Sequence, residues 1–153
     1  MLTGGAPGAS TMSDPRYTTS KDAERAFYDA FQNADVDEMM KVWADEDSII
    51  CIHPMGPRLD GRAAVAQSWQ QIFAGGTPMR FELGEVSCLL NGNLAVHCVY
   101  ENINHGPRLG ERSVVLATNI YQSTEQGWRM LMHHASPTMA LPDAPQEPRS
   151  TLH

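Results

Sequence analysis

The sequence feature that most constrains the fold is a change of hydrophobic period at Met79. Before this residue apolar side chains recur with helical spacing, and after it they alternate with polar ones, the pattern of half-buried strands. Four alternating runs predict an antiparallel meander of long strands. Asn91-Gly92 lies between the first two runs and favours a two-residue type I′ hairpin turn. The runs span residues 79–90, 94–104, 112–122 and 128–136.

The part of the chain before Met79 supplies the helices that such a sheet needs as a cover. The spacing from Thr19 to Asp22 resembles a capping box, and Asp35 is placed to cap a second helix. Three amphipathic helices and one short strand are therefore predicted ahead of the meander. The first helix has an apolar face formed by Ala23, Ala26, Phe27, Ala30 and Phe31, the second carries Val36, Met39, Met40 and Trp43, the strand spans residues 48–52, and the third helix spans residues 62–73.

Composition divides the chain into one domain and two tails. Residues 1–18 are small, polar and rich in Gly and Pro, and residues 138–153 carry repeated prolines among polar residues. Such segments bury too little apolar surface to fold, so we expect flexible tails at both ends. Residues 19–137 remain, which is the size of a single domain with its own core.

Charge and cysteine content exclude several classes of partner. The formal net charge of −7 disfavours binding to nucleic acid or to an anionic membrane surface. No apolar run approaches the ~20 residues of a membrane span, and no basic start followed by an apolar core marks a secretory signal. Cys51, Cys88 and Cys98 lack CxxC spacing and are expected to be small buried residues. We therefore expect a cytoplasmic protein.

The order helix, helix, strand, helix and four antiparallel strands resembles the nuclear transport factor 2-like fold. The resemblance spans residues 19–137 and rests on FYDAFQNADVDEMMKVWADED, on HP followed by LDGRAAVAQSWQQIF, and on GWRMLMHHASP. The superfamily includes ketosteroid isomerases, SnoaL-like polyketide cyclases and scytalone dehydratase. It implies an α+β fold in which a cone-shaped, curved antiparallel sheet wraps around helices and leaves a mostly apolar pocket. It also implies a homodimer formed through the sheet and a small hydrophobic molecule as the ligand.

The candidate general acid or base is His53, which precedes Pro54 at the end of the predicted first strand. A residue before proline is forced into an extended conformation, so this side chain is expected at a rigid strand exit. In the ketosteroid isomerases, which the chain resembles, a carboxylate base occupies this position. A histidine with an ordinary pKa of about 6.5 is a competent general acid or base near neutrality. A histidine satisfied by a backbone carbonyl is the alternative interpretation, and both stay open.

The hydrogen-bond donors of those isomerases are only partly matched. The resemblance places Phe27 where the isomerases carry a tyrosine, and Tyr28 is expected to point about 100° away around the helix. The hydroxyl is therefore predicted to be missing. Asn119 matches the second donor, and its amide can donate without any adjustment of pKa. We expect proton transfer by His53 with Asn119 orienting an oxygen, rather than steroid isomerisation; a buried Asn119 amide bonded to backbone is the alternative.

The remaining candidates are histidines and aromatic side chains. His133 and His134 are consecutive on a strand and must point to opposite faces, so only one of them can face His53. His134 is in phase with Trp128 and Met130 and is taken as the pocket residue, although the choice between the two histidines stays open. The predicted pocket lining is Phe27, Trp43, Trp69, Tyr121 and His134.

Three functions remain open. The first is an enzyme that isomerises, cyclises, dehydrates or hydrates a small molecule without a cofactor, with His53 as acid or base. The second is a non-catalytic module that binds a hydrophobic ligand or associates through its sheet. The third is a metal-dependent site with His53 and either His133 or His134, in the manner of a 2-His-1-carboxylate centre. No spacing signature selects further ligands, so neither a metal nor a cofactor is predicted. The further ligands considered are Asp60, His97 and Glu101.

Overall fold

The structure, a computed structural model, describes residues 16–139 of the chain. Most of the two predicted tails, 1–18 and 138–153, therefore lies outside the described residues. A 3₁₀ turn, Pro107–Leu109, joins the second and third strands of the meander. In chain order the elements are α1 (Ser20–Asn33), α2 (Val36–Val42), β1 (Ile50–Ile52), β2 (Arg58–Asp60), α3 (Arg62–Ala74), β3 (Met79–Asn91), β4 (Leu94–His105), β5 (Glu111–Thr124) and β6 (Gly127–Pro137).

The first two helices begin at the predicted caps. The Thr19 side chain accepts a hydrogen bond from the backbone N–H of Asp22 at 3.0 Å, which satisfies one of the free donors of the first turn. The Asp35 carboxylate does the same for the N–H of Glu38 at 3.1 Å. Between them Ala34 adopts a left-handed conformation with φ 53°, and this lets α1 turn directly into α2.

Six strands form one curved, unclosed sheet in the order β2-β1-β6-β5-β4-β3. The meander β3 to β6 has the predicted antiparallel pairing. β1 pairs with β6 in parallel, with Ile50 opposite Met132, so the sheet is mixed rather than wholly antiparallel. A period of two indicates a strand but carries no information about the direction in which a distant strand docks. β2, whose residues were expected in a loop, pairs with β1.

The β3–β4 hairpin is present, but its turn differs from the predicted one. Asn91 pairs with Leu94, so the two central residues are Gly92 and Asn93. The φ angle is positive only at Gly92, at 63°, whereas a type I′ turn needs positive φ at both central residues. Gly at the first central position is typical of a type II′ turn. The type I′ prediction is therefore wrong, although the Asn-Gly signal located the hairpin.

A β-bulge in β6 changes which side chains of that strand face inward. Ile120 of β5 pairs with Met132, and Tyr121 pairs with Met130, which leaves Leu131 as an extra residue. Met130 is consequently buried and His134 is exposed, although residues four apart share a face in a regular strand. The bulge thus divides β6 into two segments of opposite phase.

The core lies between α1, α3 and the face of the sheet that these helices cover, called the inner face below. Phe27 stands at its centre with no exposed surface and packs edge-on against Trp69, with ring centroids 5.6 Å apart. Phe31 continues the cluster to Phe81 of β3 at 4.4 Å. No helix among the described residues is long and apolar enough to cross a membrane.

Two of the three cysteines are exposed, contrary to expectation. Cys51 is buried, whereas Cys88 and Cys98 are exposed. Cys98 lies on the face of the sheet away from the helices, called the outer face below, because its β4 neighbours His97 and Val99 point inward. Cys88 lies near the end of the edge strand β3, where the adjacent leucines are also exposed. The apolar runs predicted strands correctly but not which strand ends the helices cover.

Candidate functional site

His53 follows the last residue of β1 and enters a tight turn in which the Gly56 N–H donates to its carbonyl oxygen at 2.8 Å. Its ring is half-buried, and Nε2 lies 3.0 Å from Oγ of Ser68 in α3. The Ser68 hydroxyl donates to the Val65 carbonyl oxygen at 2.8 Å, and we therefore assign it as the acceptor of the imidazole N–H, with the Cys51 sulfur 3.6 Å from the same nitrogen. Neutral His53 therefore carries its proton on Nε2, and Nδ1 keeps the free lone pair.

His133, on the inner face of β6, begins a chain of hydrogen bonds. Its Nδ1 lies 2.6 Å from Oδ1 of Asn119 in β5, and the other end of that amide donates to the Tyr28 hydroxyl at 3.0 Å. Because the amide presents oxygen to the imidazole, Nδ1 of His133 must carry the proton. The acceptor nitrogen of His133 is thus Nε2. Its ring centroid lies 6.3 Å from that of His53.

The chain ends in a buried tyrosine–carboxyl pair. The Tyr28 hydroxyl donates to Oε2 of Glu101 in β4 at 2.5 Å, and Glu101 is only 2% exposed. Phe27 thus lacks the hydroxyl as predicted, but the expectation that Tyr28 points away from the site is wrong, since its hydroxyl lies on the inner side of the sheet. Phe27 and Tyr28 are separated by about 100° around the helix, yet both are buried because the curved sheet covers a broad arc of α1.

A second cluster of polar groups joins α1 to β4. Oγ of Ser20 lies 3.0 Å from Nε2 of His97, and Nδ1 of His97 lies 2.9 Å from Oε2 of Glu24. The order of groups resembles that of a hydrolase triad, but His97 is fully buried, and Ser20, the first residue of α1, is only 8% exposed. We assign this cluster the structural role of clamping the first turns of α1 to the sheet.

A polar pattern in the sequence of α1 indicates both of these clusters of polar groups. It runs beside the apolar periodicity from which the helix was predicted. Ser20, Glu24, Tyr28 and Gln32 follow one another at intervals of four, so they form a polar stripe along α1 beside its apolar face. Each contacts the sheet, and Gln32 accepts from the backbone N–H of Phe81 at 2.9 Å. From the apolar pattern alone, Glu101 is predicted only as a possible metal ligand, and Tyr28 is expected to point away from the site.

Burial shifts the pKa values of the site in opposite directions for acids and bases. It raises the pKa of the Glu101 carboxyl to about 7, although the hydrogen bond from Tyr28 opposes the shift. It lowers the pKa of His133 to about 3, with further contributions from His53 and His134. It also lowers the pKa of His53. His53 and His133 are therefore mainly neutral at pH 7, while Glu101 titrates near neutrality.

The structure places the predicted site residues in three groups: His53 with Asn119, the buried aromatic residues, and the exposed His134. His53 and Asn119 lie on the same side of the sheet with His133 between them, its ring centroid 6.3 Å from that of His53, but the Asn119 amide is already engaged by Tyr28 and His133. Asn119 is thus placed to position its neighbours. The aromatic residues assigned to the pocket lining are all buried on the inner side, at 1% exposure or less: Phe27, Trp43, Trp69 and Tyr121.

His134 is the predicted lining residue that the structure places elsewhere. It is exposed on the outer face, pairs with Ile52 of β1, and cannot reach the inner side. The inference from phase with Met130 was wrong because the bulge at Leu131 lies between them. The inward histidine is His133, which is 1% exposed.

In the part of the chain that the structure describes, no cluster of ligands supports the hypothesis of a metal-dependent site. Within residues 16–139 no group of three or more His, Cys, Asp or Glu side chains is arranged to hold a metal ion. Glu101 is bonded to Tyr28, and His97 is bonded to Glu24. Asp60 pairs with Arg58 at 3.1 Å on β2. The further ligands that were considered are therefore committed to other partners.

The fold is α+β, with a curved sheet that wraps around a helix and encloses histidine, amide and carboxyl groups. This architecture defines a protein of the NTF2-like class. The family model of the SnoaL-like domain matches residues 21–140, which covers the helices, the sheet and the polar interior described above. The chain belongs to this SnoaL-like family, as the resemblance of its sequence motifs predicted.

Two solved structures and one curated protein are similar to the chain. A candidate dehydratase of the NTF2-like family from Streptomyces avermitilis is 30% identical, with 79% of this chain and 95% of that chain covered and a TM-score of 0.72. A candidate calcium/calmodulin-dependent protein kinase type II association domain from Thiobacillus denitrificans is 39% identical, with 82% and 100% covered and a TM-score of 0.77. The F-box protein SKIP8 of Arabidopsis thaliana is 27% identical over 112 residues, which span 72% of this chain but 46% of that protein.

Proposed function

We propose that this SnoaL-like protein binds a small hydrophobic molecule in a pocket on the inner side of its sheet and rearranges it without a cofactor. The reaction class is isomerisation, cyclisation or dehydration, driven by proton transfer at His53. The similarity to a candidate dehydratase agrees with this class. The observation that carries the proposal is the line of polar side chains that runs from the half-buried His53, past His133, to Glu101 in the interior.

A buried line of polar side chains lowers stability relative to an apolar interior, so stability alone does not explain it. Each buried polar group loses its hydration, and the net gain from a hydrogen bond is only about 1 kcal/mol. Apolar side chains of similar volume at these positions would fill the interior at lower cost. The retention of two imidazoles, an amide, a phenol and a carboxyl group therefore supports a chemical role.

His53 has the properties of a general base in this arrangement. Its Nε2 is held by Ser68, so the ring orientation is fixed and Nδ1 is available as the acceptor. Burial lowers its pKa, which keeps the imidazole neutral in mildly acidic solution. A base must be neutral to accept a proton, so activity should fall as the pH drops through this lowered pKa and stay constant above it.

The test uses 5-nitrobenzisoxazole, a small apolar compound whose ring opens when a base removes its carbon-bound proton. The N–O bond breaks, the electron pair passes to oxygen, and the coloured 2-cyano-4-nitrophenolate is released. Wild-type protein should accelerate this reaction, and His53→Ala should lose at least tenfold in kcat/KM. The pH profile should show one inflection below the ordinary histidine value of about 6.5.

The matched control is His105→Ala, which removes a half-buried imidazole bonded to Ser113 at the far end of β4. It should leave the rate unchanged. Equal rates for wild-type protein and His53→Ala would refute His53 as the base. A panel of ketones, enones and hydroxylated substrates, run with the same variants, then identifies the natural reaction class.

A second candidate function, association through the sheet, is favoured by the outer face. Val96, Ile120 and Met132 lie side by side on β4, β5 and β6, and all three point away from the helices. Ile50 of β1 and the 70% exposed Leu89 of β3 extend this apolar row at either end. A contiguous apolar patch of this kind is typical of an interface. We propose that it pairs with a second copy of the chain, and this is compatible with catalysis on the inner side.

A further inference from the structure

Within residues 16–139, three buried side chains offer hydrogen-bond donors that contact no acceptor. They are the indole N–H groups of Trp43 and Trp69 and the hydroxyl of Tyr121, each with almost no exposed surface. A buried donor without an acceptor is destabilising, so its presence requires an explanation. A guest molecule that supplies the acceptor is one explanation, and the position of each donor relative to His53 distinguishes among the three.

Trp69 is the donor placed beside the candidate base. Its ring lies 4.8 Å from that of His53, nearly perpendicular to it, and 6.2 Å from that of His133. Trp43 packs against Phe27 instead, at 6.5 Å, and Tyr121 packs against His97 at 4.8 Å. Trp69 also follows Ser68 directly in α3, so one turn of helix supplies both the hydroxyl that orients His53 and an indole ring that contacts it.

We infer that the Trp69 indole N–H donates a hydrogen bond to an oxygen atom of the bound molecule. The inference rests on the function proposed above, and it assigns to Trp69 the donor role first expected of Asn119, whose amide is engaged on both sides. As His53 removes a proton from carbon, the electron pair moves onto this oxygen and forms an enolate-type anion. A donor held in an interior of low dielectric stabilises such an anion more than the uncharged carbonyl.

This assignment narrows the ligand class. The molecule must be mainly apolar to lie against the aromatic cluster in which Trp69 packs edge-on with Phe27 and Phe31, and must carry a carbonyl-type oxygen next to the carbon that loses its proton. Small ketones and enones satisfy both conditions, whereas hydrocarbons without oxygen do not. Because the indole remains uncharged at every relevant pH, the donor adds no inflection to the pH profile.

The first experiment compares Trp69→Phe with Trp128→Phe in the ring opening of 5-nitrobenzisoxazole. Both variants make the same change of side chain, but Trp69 contacts His53, whereas Trp128 lies at the start of β6 outside the predicted lining. Trp69→Phe should lower kcat on the order of 10²-fold with little change in KM, because the bond strengthens as charge develops on oxygen. Trp128→Phe should retain the wild-type kcat. Equal kcat values for the two variants would overturn the inference, and the loss of activity in His53→Ala would still support the proposed function.

The second experiment does not depend on turnover. The chain has three tryptophans, so ¹⁵N-labelled protein gives three indole N–H resonances, which the Trp→Phe variants assign. Titration with 2-cyano-4-nitrophenolate, a stable oxyanion, should move the Trp69 resonance downfield and leave that of Trp43 in place. A Trp69 resonance that is already downfield and stays fixed would show that a buried water satisfies the N–H, and the inference would fail. Equal movement of both resonances, or none at millimolar probe, would also overturn it.

Discussion

At the scale of single residues, Glu101 has the most unusual environment of the carboxyl groups described. It is 2% exposed and accepts a 2.5 Å hydrogen bond from Tyr28, and burial raises its pKa to about 7. The unfolded chain would titrate this carboxyl at its ordinary value of 4.5. Between these two pH values the folded protein binds more protons than the unfolded chain, so the contribution of Glu101 to stability falls as the pH rises.

We therefore predict that Glu101→Gln raises the free energy of unfolding relative to wild type, and that this gain is larger at pH 8 than at pH 4.5. The amide keeps the shape and the acceptor oxygen, and it removes the cost of a buried charge, which amounts to about 3 kcal/mol at most for a shift of this size. Urea unfolding of both proteins at several pH values measures the difference. Glu125→Gln, at an exposed position in the β5–β6 turn, is the control and should show no such trend. A constant difference between Glu101→Gln and wild type across this range would contradict the raised pKa.

The contribution of His133 to stability has the opposite pH dependence. A comparison of wild type with Glu101→Gln separates it from the contribution of Glu101. The pKa of His133 is lowered to about 3, so the unfolded chain binds more protons below pH 6.5 and stability falls as the pH decreases. Wild-type protein should thus lose stability on both sides of a maximum. Because the His133 contribution is common to wild type and Glu101→Gln, it cancels in their difference.

At the scale of elements, the polar stripe of α1 fixes the helix against the sheet at several heights. Ser20 and Glu24 hold His97, Tyr28 holds Glu101, and Gln32 caps the N–H of Phe81. Apolar packing alone would allow the helix to rotate or slide, whereas polar contacts with defined geometry select one register. The site depends on that register because Tyr28 and Asn119 meet only in it.

We predict that His97→Leu lowers the free energy of unfolding by about 3 kcal/mol, because Glu24 and Ser20 would keep their burial and lose their partner. Chemical denaturation should show a lower midpoint with an unchanged slope. His105→Leu makes the same substitution on the same strand, where the imidazole is partly exposed and pairs with Ser113 and Glu111. It should cost less than about 1 kcal/mol. Equal losses for the two variants would refute the clamp.

A second element-scale contact closes α2 against α3. The Arg62 guanidinium donates to the carbonyl oxygens of Met40, Trp43 and Ala44, at 3.0, 3.2 and 3.0 Å respectively. These carbonyls lie at the end of α2 and would otherwise lack partners, so Arg62 acts as a C-terminal cap supplied by another helix. We predict that Arg62→Met lowers stability by about 2 kcal/mol in urea unfolding. Arg58→Met, at an exposed ion pair, should be nearly neutral.

At the scale of the whole molecule, the sheet has two faces with separate tasks. Its inner face holds the core, the clamp and the candidate site, and its outer face carries the apolar row through Val96, Ile120 and Met132. The two roles do not compete for any side chain named above.

We predict that wild-type protein sediments as a dimer at micromolar concentration and that Ile120→Lys shifts it to the monomer. The lysine would place a charge in the middle of the apolar row, where pairing would desolvate it. Gln126→Lys adds the same charge at the exposed β5–β6 turn and should stay dimeric. A monomeric wild type, or a dimeric Ile120→Lys, would rule out this interface. Dissociation without loss of turnover would show that each subunit carries a complete site.

The sequence by itself determined the fold class, the caps of the first two helices, the four meander strands and the place of His53 after β1. Local information suffices for these features, because periodicity and capping act between residues close in the chain. Tertiary structure decided the parallel docking of β1 on β6, the inward direction of Tyr28 and the choice of His133 over His134. These depend on a bulge at Leu131 and on the arc of α1 that the sheet covers, and no single segment encodes either. The contacts of Glu101 with Tyr28 and of Trp69 with His53 belong to the same category, since each joins residues from different elements.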